Sequence, residues 1–428
     1  LRFRQGWRIV RYHRNLKRLP HYALTSRQIP VNKKFLFLGR GFEWQPEHTQ
    51  RLYDCFSADG KKYLRPSKLF NLAREYEKHH ENLITKLTTS DSRFNPVRPL
   101  PPVEGIPAIH GIELNEIDVM QPLNSRGGHT AVFGTTGVGK TRFAEVLVTQ
   151  DIHRGKTQAD REVVVFFDPK GDPDMLKRMY AEAKRAGRDK EFYMFHLGYP
   201  EKSARYNPIG RFGRVSEVAG RISGQLSGAG NSAAFKEFAW RFTNVVARAL
   251  VEMGERPNYS QISRYVQNID GLFLSYAKNY FDATDPAIWP GLLNITANVD
   301  VKNLSFGMKE RPLIWVINQY ILENKIFDPV LEGLATAVRY DKTYFDKIVA
   351  SLLPLLEKLT TGKIEELLSP NYDDVNDERP IFDWEEVIRK RGIVYVGLDA
   401  LSDATVAAAV GNSMFADLVS MAGHIYKH

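Results

Sequence analysis

Residues Gly134-Thr-Thr-Gly-Val-Gly-Lys-Thr141 complete the pattern G-x-x-x-x-G-K-[ST], and no other stretch restricts the fold of this chain so tightly. Such a loop works only between a strand and a helix, where its glycines let backbone N–H groups wrap around phosphates. The helix N-terminus adds partial positive charge at the same place. The apolar run Thr130–Phe133 is therefore expected to be a β-strand. Arg142–Gln150, with Phe143, Val146 and Leu147 at helical spacing, is expected to be the helix. Within the loop, Gly134, Thr135, Thr136, Gly137, Val138 and Gly139 are the candidate phosphate cradle. Lys140 is the candidate cation for the β- and γ-phosphates, and Thr141 the candidate Mg²⁺ ligand. ATP and Mg²⁺ are the cofactors this implies.

Composition excludes several alternatives. A chain of 428 residues with 43% hydrophobic and 25% charged residues reads as two or three ordinary globular domains. One cysteine, Cys55, rules out a disulfide framework and a multi-cysteine zinc site. No apolar run is expected to reach the roughly 18 residues needed to span a bilayer, and no signal peptide is visible. A first residue of Leu1 rather than methionine is expected not to be the natural start. The formal charge of +9 is localised: residues 1–40 hold 11 Lys+Arg and no acid, while the other 388 hold 48 basic against 50 acidic residues. The basic head reads as a nucleic-acid arm, a solvated tail, or the cytoplasmic flank of a membrane segment. The body gives no charge-based case for nucleic acid.

Four regions follow from the patterning. Residues 1–100 are a mixed leader with a short strand at Phe35–Gly39 and a helix over Ser67–Leu87. The His79-His80-Glu81 on that helix reads as a solvated face, because adjacent helical residues do not face each other. A proline-rich linker covers 94–107. Residues 101–212 are the first part of a nucleotide-binding domain. Its unbroken apolar strands Val163–Phe167 and Phe192–Leu197 flank a helix from Pro173 to Ala186, as expected of a parallel sheet covered on both faces. Residues 213–372 repeat apolar positions at three and four, for example Phe235, Phe238, Phe242, Val245, Val246 and Leu250, and are expected to be an all-α insertion. Asp328-Pro329 opens one of its helices. Residues 373–428 return to α/β: Asp383 caps a helix over Trp384–Arg391 that Gly392 stops, then a strand over Ile393–Leu398 and a helix over Val406–His424. The fold class is α/β, with a parallel central sheet, an inserted all-α domain and a mixed leader.

Hydrolysis of ATP needs an acid at the end of a neighbouring strand to hold Mg²⁺ and orient water. Asp168 fits the pattern of apolar strand then acid, and is the secondary site candidate. Asp399 fits less well and reads as a turn-initiating aspartate.

The phosphate loop, then Phe167-Asp-Pro-Lys-Gly-Asp172, Tyr206-Asn-Pro-Ile-Gly210, Phe382-Asp-Trp384 and Gly392-Ile-Val-Tyr-Val-Gly-Leu398 resemble the TraD/TraG-type coupling proteins of bacterial conjugation, most closely TraD of integrative conjugative elements. The resemblance runs over residues 127–428. It implies a RecA-like P-loop ATPase forming a homo-hexamer on the cytoplasmic face of the bacterial inner membrane. Such a motor passes single-stranded DNA with bound relaxase to type IV secretion channel proteins. It also implies that transmembrane helices precede the basic head, and that the Asp-Glu pair that works with Mg²⁺ lies on a strand after the helix Val406–His424, beyond His428, with a trans-acting arginine further on. Asp168 then only ends a strand beside the loop, and residues 1–428 hold half an active site. Two other functions stay open: a docking module for substrate proteins whose pose nucleotide locks, and a phosphoryl-transfer kinase, for which no acceptor-site residues are identifiable.

Overall fold

The computed structural model describes residues 3, 4, 7, 26–58, 67–90, 92, 94–99, 117–226, 232–340 and 342–427. Most of the basic head, and the linker from residue 100 onward, lie outside the described residues. The chain divides into two compact units, Leu1–Glu162 with Ala181–Ala186, and Val163–Tyr180 with Gly187–His428.

In the first unit β1 (Phe35–Gly41) is followed by α1 (Pro46–Phe56), α2 (Lys68–His79) and α3 (Leu83–Thr88), then β2 (Ile117–Pro122) and α4 (Lys140–His153). β1 and β2 pair antiparallel, with a bulge between Phe37 and Gly39. The helix expected over Ser67–Leu87 is two helices. Ser67 caps the first through Phe70 N–H. Asn82 starts the second by accepting from Ile84 and Thr85 N–H, since an asparagine that captures two amides nucleates a new N-terminus rather than continuing the old helix. His80 lies flat on Tyr76, ring centroids 4.2 Å apart, and among the described residues no cluster of metal-ligating side chains forms there or elsewhere.

The expected strand at Thr130–Phe133 does not form. The segment is irregular, and Phe133 is 92% exposed. A strand is a property of a hydrogen-bonded pair, and among the described residues no neighbour pairs with this run.

In the second unit β3 (Val164–Asp168), β4 (Phe192–His196) and a later strand, β5 (Ile393–Gly397), form a parallel sheet in the order β3-β5-β4. α5 (Pro173–Arg185) lies between β3 and β4 in sequence. The chain leaves after β4 and passes through α6 (Ser216–Ser223), α7 (Ser232–Glu252), α8 (Tyr259–Gln267), α9 (Ile269–Thr284) and α10 (Ile288–Ala297). It continues through α11 (Pro312–Glu323), α12 (Pro329–Ala337), α13 (Lys342–Leu359), α14 (Lys363–Leu368) and α15 (Trp384–Arg389) before β5, and ends in α16 (Ala404–Lys427). Every named element from Ser216 to Arg389 is helical. Their apolar faces meet in one core containing Phe242, Val246, Leu250, Ile262, Phe273, Leu334 and Leu356, as three- and four-residue spacing requires. Asp328 caps α12 through Val330 and Leu331 N–H, ahead of Pro329.

Two local expectations change. The residue that ends α15 in the left-handed region is Arg391 (φ 56°), not Gly392. The Arg391 carbonyl accepts a hydrogen bond from the buried Arg188 guanidinium, which holds a conformation a side chain otherwise avoids. Gly392 is fixed by space instead, because a Cβ there would lie 3.3 Å from the Glu191 carbonyl. α16 is long and apolar enough, by length and composition, to cross a bilayer. It nevertheless buries Val406, Ala407, Val410, Met414 and Asp417 within the unit, the pattern of a core helix.

Candidate nucleotide site

The loop Gly134–Thr141 enters α4 through Gly139, the N-cap, whose φ of 91° is left-handed; Gly137 has φ 85°. Two such turns so close together are available cheaply only to glycine. They leave the first amides of α4 without a capping side chain, an exposed donor set with helix-dipole character. A Cβ at Gly134 would sit 2.6 Å from Cγ2 of the exposed Val138, whose side chain would have to move aside. Lys140 Nζ donates to the Gly134 and Thr135 carbonyls, at 2.8 and 2.7 Å. The ammonium thus spans the loop with neutral partners, and its charge remains for an anion. Thr141 stands on the first turn of α4. The left-handed glycines, the uncapped helix start and the carbonyl-held lysine fit a polyphosphate. Thr141 is the hydroxyl that would hold an accompanying Mg²⁺, which would neutralise phosphate charge there.

What anchors α4 was not legible as a site. The helix buries Glu145, Thr149, Gln150, Asp151 and Ile152, whereas Phe143, Val146 and Leu147 are only half-buried. Gln150 acts as a strand mimic: its amide accepts from Phe37 N–H and donates to Phe37 C=O, both at 2.8 Å. Asp151 receives a bidentate Arg126 at 2.7 and 2.9 Å, and Arg154 at 2.7 Å. The partners that make Gln150 and Asp151 acceptable inside lie far off in the chain, so the sequence carries no local signal for this face; Thr149, buried beside them, has a hydroxyl without a hydrogen-bond partner among the described residues.

Asp168 belongs to the second unit, at the carboxyl end of β3. Its carboxylate accepts from Lys170 N–H at 3.0 Å, Asp172 N–H at 2.8 Å and the Tyr395 hydroxyl at 2.8 Å. Tyr395 is pushed well above the usual phenol range by burial, reinforced by the Asp168 carboxylate. Asp168 is therefore the clamp of the Asp-Pro-Lys-Gly-Asp turn. Asp399, also in the second unit, takes φ 48° and accepts from Ser402 N–H at 3.0 Å, the turn role expected of it. Asp403 caps α16 through Thr405 and Val406 N–H.

The Tyr-Asn-Pro and Phe-Asp-Trp elements meet. Tyr206 packs on Phe382 and Trp384, ring centroids 5.0 and 5.7 Å away. Asn207 donates to the Pro257 carbonyl at 2.9 Å, and Trp384 Nε1 donates to Met414 C=O at 3.0 Å. The buried Tyr206 hydroxyl donates to Asp417, which also faces Arg221 at 3.0 Å. Burial pushes the Asp417 carboxyl up to about 6 against the pull of Arg221.

Residues 116–201 match the family model described as "Helicase HerA, central domain". That segment takes in the loop Gly134–Thr141, Asp168 and β4, so this part of the chain is similar to an ATPase-type domain, a similarity that suggests nucleotide and Mg²⁺ as ligands. No curated protein matches the chain.

Proposed function

We propose that the chain is an ATP-binding subunit of a DNA-translocating motor of the TraD/TraG coupling type. On a RecA-like scaffold it moves single-stranded DNA with bound relaxase toward a type IV secretion channel. The observation that carries this reading is the intact loop with Lys140 held by neutral carbonyls, inside a segment similar to the central domain of a helicase. The meeting of Tyr206, Phe382 and Trp384 in one cluster supports it further, because these elements carry the resemblance outside that segment. Motors of this kind act as homo-hexamers at the cytoplasmic face of the inner membrane, and the basic head suits a position next to anionic lipid.

In this mechanism the amides of Gly137, Val138 and Gly139 and the Lys140 ammonium grip the phosphates, and Thr141 orients Mg²⁺. Asp168 is committed to its turn and is not assigned as the Mg²⁺ partner. The resemblance puts the working acidic pair after α16. Residues 1–428 alone are therefore expected to bind ATP–Mg²⁺ weakly and to turn it over negligibly.

The test is ATP turnover by the natural full-length protein with and without single-stranded DNA. A motor gives DNA-stimulated turnover that Lys140→Ala abolishes. Nucleotide binding with no DNA effect favours the docking module. Strong turnover by residues 1–428 alone makes Asp168 or Asp399 the working acid.

A further inference from the structure

His196 ends β4 with its ring buried, only 3% exposed, and neither the phosphate loop nor the resemblance gives it a task. Its surroundings come from all three strands of the sheet. The Gly198 N–H donates to Nδ1 at 3.0 Å. Nδ1 is then the acceptor, and the neutral ring carries its proton on Nε2, which faces the Gly171 carbonyl at 3.3 Å. One imidazole thus links the turn after β3 to the turn after β4. Its third wall is β5.

Glycine makes this seat. A Cβ at Gly171 would lie 2.7 Å from Nε2, and one at Gly397 would lie 2.4 Å from Cδ2. A Cβ at Gly198 would lie 3.1 Å from both the His196 ring and Asp399 Oδ2. Gly171 has φ 68°, so a side chain there is excluded twice over. Tyr199 and Tyr395 close the sides, at ring-centroid distances of 4.6 and 6.3 Å. Backbone bonds run through the same node: Leu398 N–H to Asp168 C=O at 2.9 Å, Ala400 N–H to Pro169 C=O at 2.8 Å and Leu197 N–H to Gly397 C=O at 2.9 Å.

We propose that His196 is a positioning residue: its neutral imidazole, seated among Gly171, Gly198 and Gly397, holds the three turns at the carboxyl edge of the sheet as one rigid body. Functional loops of parallel α/β sheets sit at that edge, and here the body includes the Asp-Pro-Lys-Gly-Asp turn and the lead into α16. A shift in one turn is then passed to the others, which is what a machine that converts a local event into movement of its helices requires. The use of this body in ATP turnover rests on the proposed function; the rigid body itself does not.

Amide exchange of the full chain tests it, comparing wild type with H196A, H196N and H196Q. Asparagine retains an acceptor for Gly198 N–H but loses the reach to Gly171, whereas glutamine retains the reach and loses the acceptor. H196A is expected to raise exchange at least ten-fold at Gly171, Asp172 and Gly198. H196N is expected to open only the turn after β3, and H196Q only the turn after β4, with Val246 in the helical core unchanged throughout. Imidazole ¹⁵N shifts of the wild type are expected to show the Nε2–H tautomer. If wild-type turnover is measurable in the full-length protein, H196A lowers kcat about ten-fold with KM for ATP within two-fold. Uniform exchange increases that reach Val246, or turns that keep their protection in H196A and H196N, overturn the proposal. Absence of wild-type turnover overturns the ATPase reading instead and leaves the exchange result to decide on His196.

Discussion

Asp417 shows how much a single residue can report about this fold. It is buried on α16 between the Tyr206 hydroxyl and the Arg221 guanidinium, and burial raises its carboxyl to about 6. A folded-state value above the unfolded one means that the native state binds the proton more tightly. Its stabilising contribution is complete below about pH 4 and is lost as pH rises through about 6. A shift of that size corresponds to roughly 3 kcal/mol. Wild type is therefore expected to lose stability, relative to Asp417→Asn, between pH 4 and pH 7 in thermal unfolding. Below about pH 4 the wild-type carboxyl is neutral as well, so any constant difference between the two proteins reflects packing and hydrogen bonding rather than the charge that Arg221 faces. A flat difference between the two proteins across that range would show that Arg221, rather than burial, governs the carboxyl. At the same scale Arg221 also donates to the Pro208 and Arg211 carbonyls, so it ties the segment after Tyr-Asn-Pro to the same buried charge.

At the scale of elements, the phosphate-loop helix depends on one side chain. Gln150→Ala removes both partners of Phe37, a buried residue of β1, and leaves an N–H and a C=O unsatisfied. The expected loss is about 1–3 kcal/mol, read as a lower denaturation midpoint, together with a smaller ATP-induced rise in Tm because α4 carries Lys140 and Thr141. Unchanged stability would mean that water replaces the amide. Much at this scale was legible in the sequence. Unbroken apolar runs marked β3, β4 and β5, since strands covered on both faces need no alternation. The spacing of Phe242, Val246 and Leu250 marked α7. What was not legible depends on partners. Thr130–Phe133 has strand composition but pairs with no strand among the described residues. The inner face of α4 is polar because Gln150 finds Phe37 and Asp151 finds Arg126, contacts remote in sequence, while Arg154 one turn on adds a local ion pair to Asp151. Asn82 divides a helix that apolar spacing alone would have run together. The loop Gly134–Thr141 was legible because its chemistry is local: eight consecutive residues contain the glycine turns, the helix start and the cation.

At the scale of the whole molecule, charge and fold are distributed differently. Seven of the cations of the basic head lie in residues 1–25, whereas β1 starts at Phe35 and is held by Gln150. Deleting residues 1–40 would therefore confuse loss of charge with loss of a strand. The informative change is to replace the seven cations of residues 1–25 by glutamine and leave the rest intact. Basic residues close to an anionic leaflet contribute about 1 kcal/mol each, so even partial engagement amounts to several-fold changes in vesicle binding. The neutralised full-length protein, solubilised and compared with wild type, is expected to lose contact with vesicles containing anionic lipid, while its affinity for single-stranded DNA falls only modestly. The salt dependence of DNA binding separates the two readings, because each lost phosphate contact flattens the slope of log K against log salt by about 0.7 for single strands. A slope that flattens by several units with vesicle binding unchanged would make the head a nucleic-acid arm. Loss of vesicle binding with the slope preserved would place it beside the membrane, where a coupling motor must stand to hand its DNA to a channel.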